Sequence, residues 1–185
     1  MLKSPARISS LFSQFTASQK NFLRNAVIAF LLWFTVADLN FIHNILVESL
    51  AQNAAIIIEW ISGQAPTTFS STEDLTGYCI WNVADVRGRI LIGSACDGWE
   101  LYYLCTAFIL IFPGVLLKRK LGFAALGIAV MYLTNVLRIV ALFFLAKNHP
   151  DWFQIFHKTI FQFIIYVIMF GVWIVYLRGN KSAEK

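Results

Sequence analysis

Charge is what this chain has least of. Only 14% of its 185 residues are Asp, Glu, Lys or Arg, well under the share of a typical soluble domain. Hydrophobic residues make up 58%, and the mean hydropathy is +0.67. A soluble globule of this composition would expose too much apolar surface. Soluble and disordered classes are excluded on that ground. A nucleic-acid binder is excluded too, because the net charge of +5 is better explained by membrane topology. Cysteine is scarce as well. Three cysteines make no disulfide framework, and the odd count leaves at least one thiol free. Metal-ligand spacing, a phosphate loop, His-Glu-x-x-His and Gly-x-Ser-x-Gly are all missing, so neither a metal nor a cofactor is expected. The N-terminal segment has no short apolar core with a small-residue cleavage site, so no removable signal peptide is expected.

Long apolar runs are what the chain does have. A spanning helix needs about 20 mostly apolar residues, and four stretches are assigned to spans: 25–42, 99–117, 121–146 and 159–177. The segment 41–61 spaces Ile42, Leu46, Leu50, Ala54, Ile57 and Ile61 at three and four residues, with Asn44, Glu48, Gln52 and Glu59 between them. This pattern predicts an amphipathic helix on the membrane surface. The competing reading is a fifth span. Four spans with both termini inside place ten basic residues in the cytoplasm: Lys3, Arg7, Lys20, Arg24, Lys118, Arg119, Lys120, Arg178, Lys181 and Lys185. Only Arg87, Arg89, Lys147 and Lys158 then lie outside, as the positive-inside rule asks. A fifth span would put the Lys118–Lys120 cluster opposite the N-terminal one. The expected fold is an all-α integral membrane protein, a single membrane domain over 1–185. Residues 1–24 are cytoplasmic, and 43–98 form an extracytoplasmic surface helix and hairpin. Within that region 63–74 reads as coil, while 78–85 and 89–95 read as strands turning at Arg87-Gly88.

This topology gathers the reactive groups. Cys96 lies at the outer end of the second span. Arg138 lies seventeen residues into the third, about 26 Å up a core about 30 Å thick. His157 falls in a short outer loop, two residues before the fourth span. A thiolate is the reactive form of cysteine and is favoured by a nearby cation. Histidine moves protons near neutral pH, and arginine holds an anion with several donors. Cysteine nucleophile, histidine acid/base and arginine oxyanion stabiliser make an acyl-transfer site. An arginine within a span points to function by default. Asn135 shares a helical face with Arg138 and is assigned to orient it. Asp38, near the outer end of the first span, is a further candidate partner for Arg138.

Simpler roles compete. Arg138 is also placed to snorkel to the headgroups. A hairpin centred on Arg87-Gly88 sets Cys79 opposite Cys96, within the roughly 4.5–5.5 Å of cross-strand neighbours, and a disulfide would form in an oxidising compartment. Cys105 reads as a packing residue. His43 and His149 read as interfacial. Trp99, Tyr102, Tyr103, Trp152 and Trp173 read as aromatic belts. Glu59, Asp85 and Asp97 read as solvated. A non-catalytic membrane assembly factor with a Cys79–Cys96 bridge is therefore the alternative. A transporter lacks the paired broken helices and midplane charges expected of one.

Ala95-Cys96-Asp97-Gly98, Asn135-Val136-Leu137-Arg138-Ile139 and Phe156-His157 together resemble the three signature regions of the exosortase/archaeosortase family. The resemblance covers about residues 90–177. Many members carry Cys-Ser-Gly where this chain has Cys96-Asp97-Gly98, and many have more spans. It is most similar to the compact exosortase-type proteins of some Gram-negative groups. The resemblance implies a polytopic cysteine transpeptidase or protease with Cys96, Arg138 and His157 catalytic. It implies an inner-membrane location with the site facing the periplasm. Its partners would be membrane lipid and substrate proteins bearing a C-terminal sorting signal, which joins a short motif, a transmembrane helix and a basic cluster.

Overall fold

The structure is a computed structural model that describes residues 16–37, 39–71, 77–81, 89–93 and 96–181. The chain is mostly helical, as backbone in hydrocarbon must satisfy its own polar groups. Helix α1 runs Ala17–Val36, α2 Asn40–Ser62, α3 Trp99–Ile111, α4 Leu117–Asn148, α5 Pro150–Ile155 and α6 Phe161–Lys181, with a π turn over Phe156–Ile160 joining the last two. Strands β1 (Thr67–Ser71), β2 (Gly77–Trp81) and β3 (Arg89–Gly93) form one antiparallel sheet in chain order.

Among the described residues three helical stretches are long and apolar enough to cross a membrane: Phe41–Ser62, Leu117–Asn148 and Pro150–Gly179. The expected first span, 25–42, is divided. Helix α1 stops at Val36 and α2 starts at Asn40. Side chains take the carbonyls released at the break: Trp99 Nε1 donates to Val36 O at 2.9 Å, and His43 Nε2 to Ala37 O at 3.0 Å. The expected surface helix is a helix, but it also has the length and apolarity of a span. Its buried stripe, Val47, Leu50, Ala51, Ala54 and Ile58, packs on the sheet and α4, while Phe41, Ile56 and Trp60 stay exposed.

The second expected span, 99–117, is cut to 13 residues, about 20 Å. Phe112 precedes Pro113 and is driven to extended backbone (ψ 121°), and Gly114 follows at φ +82°. Side chains cap the carbonyls at this end. Tyr176 Oη donates to Ile109 O (3.1 Å), Lys120 Nζ to Leu110 O (2.8 Å) and Asn25 Nδ2 to Ile111 O (3.2 Å). Lys118, Arg119 and Lys120 lie in the first turn of α4 rather than in a connecting loop.

Two corrections concern the sheet. Residues 63–74, expected as coil, contribute β1. The β2–β3 register pairs Cys79 with Leu91 and Ile80 with Ile90, five residues away from the register that would set Cys79 against Cys96. An odd slip exchanges the faces of a strand. In the expected register Ile80 would lie on the opposite face from Ile90 and Ile92. In the observed one all three are buried together against α2 and α4.

The core has two parts. One joins α2, the sheet and the C-terminal half of α4 through Val136, Ile139, Val140 and Phe143. The other joins α3, the N-terminal half of α4 and α6 through Tyr102, Cys105, Ile109, Met131, Ile165, Met169 and Tyr176. Cys105 is a packing residue there. A Cβ added at Gly127 would come within 2.9 Å of its sulfur. Tyr102, expected in an aromatic belt, is 5% exposed and belongs to this core. Asn135 and Arg138 sit where the two parts meet.

Candidate active site

The turn Cys96-Asp97-Gly98 leads into α3, and three elements hold it. From α4, Asn135 Nδ2 donates to Cys96 O at 3.1 Å and to Asp97 O at 2.8 Å. Both neighbours are carbonyl oxygens, which fixes the amide's orientation. Asp97 Oδ1 accepts from Trp99 N at 2.8 Å, at the positive end of α3. Asp97 Oδ2 is bonded to His43 Nδ1 from α2. Gly98 adopts φ +74°, and a Cβ there would come within 2.9 Å of Asn135 Nδ2. Glycine is thus required twice over, for its backbone angle and for the close approach of the asparagine.

Holding the turn this way aims Cys96. Its Sγ lies 3.5 Å from His157 Nε2, a contact between groups 61 residues apart. His157 is not in a loop before the last span, the place expected from the span boundaries. It lies in the π turn of a helix that begins with Pro150 at its first turn. The π turn decides which side chain faces the sulfur. Counting back in steps of 3.6 along the buried stripe Tyr176, Met169, Ile165 reaches Lys158. The wider π turn accommodates an extra residue, and the count then arrives at His157. Its ring stacks on Phe153, with centroids 5.6 Å apart and planes 5° from parallel, which fixes the rotamer.

Arg138 lies one turn beyond Asn135 on the same face of α4. It is 7% exposed, so it is buried rather than snorkelling. Its charge acts on both Cys96 and His157. Among the described residues the only salt bridge joins His43 and Asp97, so no described carboxylate neutralises the guanidinium. Asp38, the candidate partner of Arg138, lies outside the described residues, as does Asp85. Glu59 is exposed. The structure thus brings Cys96, Asn135, Arg138 and His157 to one locus.

Two residues of this locus were assigned elsewhere from the sequence. Asp97, read as solvated, is 1% exposed. His43, read as interfacial, is its partner. They are 54 residues apart, and no spacing rule links them. The one available signal was the position of Asp97 inside the cysteine motif.

Alongside α3 runs an apolar cavity of about 520 Å³, lined by Ile28, Leu32, Leu46, Tyr102, Thr106 and Ile128 among others. Two of its polar lining groups are occupied internally. Tyr103 Oη donates to Ala29 O and Thr106 Oγ1 to Tyr102 O. Trp99, which immediately follows Gly98, lines it as well. No group of three or more metal-ligating side chains occurs among the described residues. Comparison with protein-family models, curated proteins and solved structures found no match.

Proposed function

We propose that this chain is an exosortase-like membrane cysteine peptidase or transpeptidase that acts on C-terminal sorting signals at the outer face of a bacterial inner membrane. The observation that carries the proposal is the Cys96 Sγ–His157 Nε2 contact beside an arginine with no described carboxylate partner. In this reading the Cys96 thiolate attacks the scissile carbonyl. Arg138 stabilises the oxyanion, an interaction that strengthens as charge develops. The tetrahedral intermediate collapses to a thioester, and His157 protonates the departing amine. His157 then takes a proton from the acceptor, which attacks the thioester carbonyl and expels the Cys96 thiolate. An amine or hydroxyl acceptor gives transpeptidation, and water gives hydrolysis.

The proposed topology keeps both termini inside, with passes through α1, α3, α4 and the α5–α6 helix. Helix α2 rests on the outer portion of this bundle. Its α4 neighbours run from Tyr132, bonded to Ser49 and Asn53, to Phe143, and it also packs on the sheet. The cavity beside α3 offers a membrane-embedded substrate an apolar approach to Cys96.

The competing assembly-factor reading needs a Cys79–Cys96 bridge. The strand register and the engagement of the Cys96 sulfur with His157 both oppose it. The test is co-expression with a reporter carrying a motif, a transmembrane helix and a basic cluster at its C-terminus. Cys96→Ala and Cys96→Ser should both abolish processing with insertion intact, and Cys79→Ala should be tolerated. Unchanged processing in Cys96→Ala ends the proposal.

A further inference from the structure

Each nitrogen of the His43 ring faces an oxygen. Nε2 lies 3.0 Å from Ala37 O. A carbonyl only accepts, so Nε2 carries a proton. Nδ1 is bonded to Asp97 Oδ2. A proton therefore lies on that line as well, held either by the ring or by the acid. Two features place it on the ring. The other carboxylate oxygen accepts from Trp99 N, and the carboxylate sits at the N-terminus of α3, where the helix dipole favours negative charge. His43 itself lies in the first turn of α2, where an isolated cation is disfavoured, so an anion at this point serves both helices. The pair is shielded mainly on the carboxylate side, the His43 side chain being 17% exposed. Asp97 is 1% exposed, and the Trp99 ring lies edge-on to His43 with centroids 6.3 Å apart.

We propose that His43 and Asp97 form an imidazolium–carboxylate clamp that fixes the Cys96 turn, making His43 a positioning residue for the thiol. The clamp ties the end of α1 (Ala37), the start of α2 (His43) and the start of α3 (Trp99) to one carboxylate. Asn135 grips the peptide oxygens of the same turn from α4. Between them the backbone on the C-terminal side of Cys96 is held from two directions, which keeps the sulfur facing His157. The clamp's bearing on catalysis rests on the acyl-transfer reading, whereas its bonding does not.

The test is nitrogen NMR of histidine-labelled protein in phospholipid nanodiscs, combined with the rate of Cys96 alkylation in a Cys79→Ser, Cys105→Ala background. The His43 signals are assigned by their loss in His43→Gln. At neutral pH both His43 nitrogens should be protonated. In Asp97→Asn the ring should become neutral, with the proton kept on Nε2. Alkylation of Cys96 should change by about tenfold or more in His43→Gln, because small misplacements of a reacting group carry effects of that size. A bare Nδ1 in the otherwise unmodified protein overturns the clamp, as does an alkylation rate in His43→Gln equal to that of its parent. Should His43→Gln fail to insert, the parent and Asp97→Asn spectra decide by themselves, with His149→Gln and His157→Gln supplying the assignment. Loss of the acyl-transfer reading through an active Cys96→Ala leaves the nitrogen spectrum, and with it the bonding, standing.

Discussion

The two ends of α3 solve the same problem in opposite ways. Both hold buried polar groups in apolar surroundings, where an unpaired group is costly. At the C-terminal end three donors are spent on backbone. Asn25, Lys120 and Tyr176 each bond one of three successive carbonyls. At the N-terminal end backbone needs are met by Asn135 and Asp97, and Cys96 and His157 are left facing one another within reach of the Arg138 charge. Buried polarity at the C-terminal end is structural. At the N-terminal end it is in surplus over what the backbone requires, and that surplus is the basis for the chemistry proposed there.

The largest effect that sharpens this contrast is expected at the sulfur. Cys96→Ala should lower processing of the reporter by at least about a thousandfold, as removal of a nucleophile does, with membrane abundance unchanged on immunoblot. His157→Gln should cost about 10²–10⁴. Inserting an alanine between Lys158 and Thr159 should do nearly as much, because the same count along the helix then reaches Lys158 or the alanine in place of His157. Processing at the normal rate in the insertion variant would break the link between helical register and the site. Arg138→Lys should lose about 10²–10³ in rate, the scale of one oxyanion donor, while retaining the charge. Gly98→Ala should destabilise the fold by at least ~1–2 kcal/mol, from its left-handed backbone angle alone, measured as reduced thermal stability in detergent. At the C-terminal end of α3, Lys120→Met should cost about 1–3 kcal/mol by leaving a carbonyl unpaired, yet leave Cys96 alkylation unaltered. A change in alkylation there would erase the distinction between the two ends.

Part of this was legible in the sequence. Hydropathy and helical rise alone bring Cys96 and Arg138 to one depth, because span length is dictated by the bilayer. The early stop of α3 had a signal in Phe112-Pro113-Gly114, but a window of about 20 residues averages over such a break. The π turn had none, since one extra residue in a helix leaves composition and spacing nearly unchanged. The sheet register departs from the one a turn at Arg87-Gly88 predicts because burial of Ile80, Ile90 and Ile92 on one shared face decides it. The His43–Asp97 pair was invisible for a plainer reason. Each is a lone polar residue, and only the packing of α2 against the start of α3 brings them together.

The capped end of α3 also bears on how the protein is made. A 13-residue segment whose last carbonyls have no following helical turn depends on side chains from elsewhere in the chain to satisfy them. One of its partners, Tyr176, is synthesised 67 residues after Ile109. This end of α3 is therefore completed only once α6 has been made, and truncating the chain before Tyr176 would leave the Ile109 carbonyl without that donor.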